Sequence, residues 1–82
     1  MFVLVKEDYS IELKSAWLFD DFEEAYNYMR NDLNIEKRES VGRWEDMIRS
    51  GIFEDDRSHA FMETDNTEIT WDIIEVLDKE DT

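Results

Sequence analysis

The chain has 82 residues, of which 23 are Asp or Glu and 9 are Lys or Arg, for a net charge of −14 with its single histidine neutral. So short a chain buries only roughly 60% of its unfolded surface, so one domain over residues 1–78 is expected, with a frayed tail at 79–82. The charge argues against direct contact with nucleic acid or an anionic membrane, and the absence of cysteine excludes disulfides, thiolate metal sites and thiol catalysis.

Acidity alone does not make the chain disordered. Hydrophobic residues form 41% of it and aromatics 13%, far from the apolar-poor signature of disorder. Met1–Val5 is too short for a membrane span and lacks the basic start of a secretory signal. A strand at the N-terminus and a cytoplasmic location are the resulting expectations.

Phe2-Val3-Leu4-Val5 is apolar on both faces, as an inner strand requires. Glu7-Asp8-Tyr9-Ser10 reads as a hairpin connection. From Ile11 the pattern alternates: Ile11, Leu13, Trp17 and Phe19 share one face, and Glu12, Lys14, Ala16 and Leu18 take the other. Asp20 followed by Glu23 resembles a capping box, and Phe22, Ala25, Tyr26, Met29 and Leu33 recur at helical spacing. Asn31 and Asn34 are placed to end that helix. Val41, Trp44, Met47 and Ile48 predict a second, shorter helix with Gly51 as its left-handed stop. Residues 54–58 read as a charged loop. His59–Thr64 and Thr67–Leu77 then form a hairpin around Asp65-Asn66, with Ile69, Trp71 and Ile73 on one side and Glu68, Thr70 and Asp72 on the other.

The predicted fold is α+β, ββααββ: a four-stranded antiparallel sheet with two helices packed on one face. Charge is uneven along it. Residues 1–29 carry 7 acids and 2 bases, residues 30–50 carry five of each, and residues 54–82 carry 11 acids and 2 bases.

Signals for catalysis are sparse. His59 has no cysteine partner and no nucleophile-elbow motif near it, so a satisfied or exposed surface histidine is the expectation. Two isolated glycines cannot form a phosphate-cradling loop. Asp20, Asp21, Glu23 and Glu24 lack the calcium-loop pattern, and their position at a helix start explains them. No enzyme activity, metal or cofactor is therefore expected. Trp17, Trp44 and Trp71 fall on apolar faces and are assigned to the core, one of them at an edge where a partner binds; Tyr9 and Tyr28 are the expected exposed aromatics.

The acidity exceeds the roughly 2–8 charges that keep a small domain soluble, and holding it costs self-repulsion. A basic partner surface is the simplest use for it. Carboxylates at i and i+2 on a strand lie roughly 6.8 Å apart, which matches every second phosphate or so at the ~3.4 Å of helix axis per charge of one DNA strand. The candidate contact residues are Glu54, Asp55, Asp56, Asp65, Glu68, Asp72, Glu75 and Asp78. In size, acidity and lack of a catalytic motif, the whole chain resembles phage-encoded inhibitors of bacterial defence, including DNA-mimic anti-restriction and anti-CRISPR proteins. That resemblance, one of composition, implies an inhibitor of a basic nucleic-acid-binding protein such as a host nuclease or defence effector. The chain also looks like acidic immunity proteins that neutralise nuclease toxins. A small structural or adaptor subunit, with self-association into a homodimer, is the alternative from another class.

Overall fold

A computed structural model describes residues 1–53, 55 and 57–76. Its elements are β1 (Phe2–Asp8), β2 (Leu13–Phe19), α1 (Phe22–Gly42), β3 (Met47–Ile52), β4 (His59–Thr64) and β5 (Glu68–Glu75). The strands form one five-stranded sheet in the order β2-β1-β5-β4-β3, with every neighbouring pair antiparallel. The first strand and the last are therefore the two innermost on one side, and α1 carries the chain from one sheet edge to the other.

This corrects the ββααββ expectation: the described residues form five strands and one helix, and the predicted second helix is divided between the end of α1, a turn and β3. Two things misled the periodicity. Asn31 and Asn34 do not stop α1, because from Asp32 onward its inward face is held in part by polar bonds that an apolar stripe cannot reveal. Lys6 of β1 reaches up from the sheet to Asp32 at 2.9 Å and Glu36 at 2.6 Å. Gly51, read as a helix stop, lies within β3 opposite Phe61, and neither glycine has a positive φ. A Cβ placed there would lie 4.0 Å from the Phe61 ring, in ordinary contact.

The start of α1 also shifts by one residue. Asp21, not Asp20, is the cap; its side chain accepts from the Glu24 N–H at 2.8 Å, and Glu23 and Glu24 meet the positive end of the helix dipole. The predicted stripe is correct: Ala25, Met29 and Leu33 are buried, flanked by Phe22 and Tyr26. They pack on Leu4, Ala60, Met62, Ile69, Trp71 and Ile73 from the inner strands. The alternation assigned to β5 holds as well, with Ile69, Trp71 and Ile73 facing the helix.

Only one face of the sheet carries the helix. On the other, register aligns Leu18, Val3 and Ile74 in one row, and Ala16, Val5, Asp72 and His59 in the next. No described helix is long and apolar enough to cross a membrane.

Candidate partner-binding surface

The geometry separates the predicted contact carboxylates. Glu68 and Asp72 flank Thr70 on the open face of β5, as the alternation requires. Asp72, however, is bonded to Nδ1 of His59 at 2.5 Å, and that imidazole stacks on Phe53. The histidine thus has the satisfied role expected of it. Glu75 falls on the opposite parity from Glu68, at the far end of β5, ~24 Å away for seven residues of strand. Exposed Asp55 lies in the β3–β4 connection, at the Glu75 end, while Asp65 sits in the β4–β5 turn beside Glu68. Glu54, Asp56 and Asp78 lie outside the described residues. Asp65 and Glu68 are together; Asp72, Glu75 and Asp55 do not join them in one patch.

Connections distant in sequence gather at the Asp65–Glu68 end. The Tyr9 N–H donates to the Glu68 carbonyl at 2.9 Å, and the Asp65 N–H donates to the Asp46 carbonyl at 3.1 Å. These bonds bring the β1–β2 turn and the α1–β3 connection alongside the β4–β5 turn. Glu12, Asp46, Asp65 and Glu68 are exposed there, and no ion pair from another described residue reaches them.

Glu45 locks the arrangement. Its carboxylate accepts from Arg43 Nε at 2.6 Å, Thr64 Oγ1 at 2.6 Å, Thr67 Oγ1 at 2.9 Å and Ser40 Oγ at 3.2 Å. The Arg43 bond, then that from Thr64, opposed by burial and aided by Thr67, lowers the Glu45 pKa to about 2. One carboxylate thus ties the end of α1 to the β4–β5 turn.

The locked turn presents Trp44. After the C-cap Arg43, Trp44 has φ 61°; its N–H donates to the Val41 carbonyl, and the Glu45 N–H donates to the Ser40 carbonyl, each at 3.1 Å. This is a Schellman closure, and Trp44 stands in the left-handed position that glycine usually takes. The residue is 92% exposed. This corrects its assignment to the core, since the apolar spacing with Met47 and Ile48 was not helical. Trp71 is fully buried and Trp17 packs on Tyr28 at 5.0 Å. Tyr9 and Tyr28 are exposed as expected.

Among the described residues no group of three or more His, Cys, Asp or Glu side chains is placed to hold a metal ion. No protein-family model, curated protein or solved structure matches the chain.

Proposed function

We propose that this protein is an acidic inhibitor that binds and blocks a basic, nucleic-acid-binding surface of a partner protein. The contact surface is the end of the sheet that carries Glu12, Asp46, Asp65 and Glu68. The observation that carries the reading is Trp44: a large aromatic, almost wholly in water, held in a backbone conformation that costs about 1–2 kcal/mol for a residue with a Cβ. Aromatic side chains of this kind dominate binding energy once a partner covers them, and carboxylates around them select a basic partner and speed encounter. Carboxylates in place of phosphates let such a protein occupy a nucleic-acid site without binding nucleic acid. The compositional resemblance to phage-encoded inhibitors of bacterial defence supports the same assignment, with a host nuclease or defence effector as the partner.

The test is recovery of the partner on immobilised protein from a bacterial lysate, followed by challenge with a duplex oligonucleotide. The expected result is a basic nucleic-acid-binding protein that the duplex displaces. A retained partner that saturating duplex leaves in place would overturn the proposal.

A further inference from the structure

The two edges of the sheet are its least acidic parts. β2 carries Lys14 and no acid, and β3 carries Arg49 and no acid, in a chain with 23 acids. Edge strands normally bear charge, a bulge or proline, because their free N–H and C=O groups pair with any strand that arrives. β3 has such protection: its register slips between Met47 and Arg49. β2 has none. Its seven residues pair with β1 without a break, contain neither glycine nor proline, and expose Leu13, Ala16 and Leu18. Among the described residues no backbone hydrogen bond outside the β1–β2 ladder reaches Leu13–Phe19.

We infer that β2 pairs antiparallel with β2 of a second copy, joining the two sheets across a two-fold axis at Ala16. The charge pattern selects this occupant. The register that uses all of β2 sets Lys14 of each copy opposite Leu18 of the other, and Leu13 opposite Phe19. No acid of one ladder then meets an acid of the other. The two Lys14 ammonium groups stand four residues apart along the strand, ~14 Å, beyond the ~8 Å reach of charge at physiological salt. Just outside the ladder, Glu12 of one copy faces Asp20 of the other, so the dimer tightens as salt is added. Binding to a basic partner has the opposite salt dependence, and this inference stands independently of the proposed function.

Sedimentation equilibrium of the whole protein tests it, at about 0.05 M and 0.5 M NaCl, where the screening length falls severalfold. The expected result is a monomer–dimer equilibrium that shifts to dimer at the higher salt. Leu18→Lys sets two ammonium groups face to face at both symmetric positions and weakens the dimer about tenfold, whereas Leu18→Glu gives Lys14 a carboxylate across the seam, besides Glu7 of its own copy, and tightens it severalfold. Net charge alone demands the reverse order, since Leu18→Lys makes each copy less acidic. Ile74→Lys, on the open face two strands in from this edge, does not weaken the dimer. Each of three results overturns the inference: a monomer up to hundreds of micromolar at both salts, Leu18 variants that follow net charge, or loss of the dimer in Ile74→Lys.

Discussion

Trp71 Nε1 donates to Asp32 Oδ2 at 3.0 Å, and the same carboxylate oxygen lies 2.9 Å from Lys6 Nζ. The ammonium also sits 5.6 Å from the centre of the Trp71 ring. The largest buried side chain of the core is therefore fixed by a polar cluster shared among β1, β5 and α1. Burial pulls the Lys6 pKa down, but the bonds to Glu36 and Asp32 outweigh it and hold the pKa above the usual lysine value.

Removing the Lys6 charge leaves Asp32 and Glu36 without their cation. Lys6→Met should cost about 2–3 kcal/mol, less than the ~3–5 of a fully buried broken pair because the cluster is partly wetted, and lower the thermal midpoint by roughly 8–24 °C. Adding Asp32→Asn and Glu36→Gln to that variant should recover much of the loss. Urea titration checks both steps. Because the folded pKa is raised, this contribution is complete below pH 10.5 and fades as pH rises past it.

Glu45 works in the opposite pH range. Its folded pKa of about 2 lies below its ordinary value of 4.5, so its stabilisation is present above pH 4.5 and is lost as pH falls toward 2. Wild type should exceed Glu45→Gln in stability at pH 6, and the difference should close between pH 4.5 and 2. Thermal melts of both proteins across that range measure it. Taking the difference removes the contribution of the other carboxylates.

Trp44→Gly should stabilise the isolated protein by about 1 kcal/mol, raising the midpoint by roughly 4–8 °C, since glycine accepts the left-handed conformation freely. The same substitution should abolish binding to the partner. Asp65→Lys with Glu68→Lys should instead slow association and flatten its salt dependence. A Trp44→Gly protein of unchanged affinity would remove the tryptophan from the contact surface and leave the charge argument to stand on the second variant.

Self-repulsion gives a further sign test. The thermal midpoint should rise with sodium chloride from low ionic strength, as the folded body holds its charges closer together than the unfolded chain. Glu39→Gln, at the negative end of the α1 dipole where no basic residue lies in the last turn, should raise it by roughly 1–4 °C. Glu24→Gln, at the favourable end, should gain less or lose stability. Equal responses would mean that net charge, not its place on the helix, sets the cost.

The sequence is legible where burial and periodicity coincide. Ile69, Trp71 and Ile73 alternate because one side of β5 meets the helix, and Ala25, Met29 and Leu33 repeat because α1 meets the sheet. It is illegible where polar long-range bonds do the same work. Asp32 and Glu36 extend the inward face of α1 through Lys6, 26 and 30 residues away. The four positions Val41, Trp44, Met47 and Ile48 have helical spacing by coincidence, since a Schellman closure falls between the first two. Glu45 has partners 19 and 22 residues distant, and no local pattern announces them. The acidity of residues 54–82 is legible as composition, but strand parity and strand length send Glu68 and Glu75 to opposite ends.

The pairing of β1 with β5 joins Phe2 to Glu75. The middle of the sheet is thus closed by strands from opposite ends of this fold, with β5 made long after β1. While the chain is being made, β1 has β2 on one side and nothing on the other, and α1 has little sheet to lie on. Folding must wait for nearly the whole chain, and contacts of such sequence separation place it among slow folders for its size. A nascent chain stopped after β4 would present the bare side of β1, with Val3, Leu4 and Val5, to chaperones and proteases. Cellular abundance should therefore depend more steeply on substitutions in β5 than on equally destabilising ones in α1.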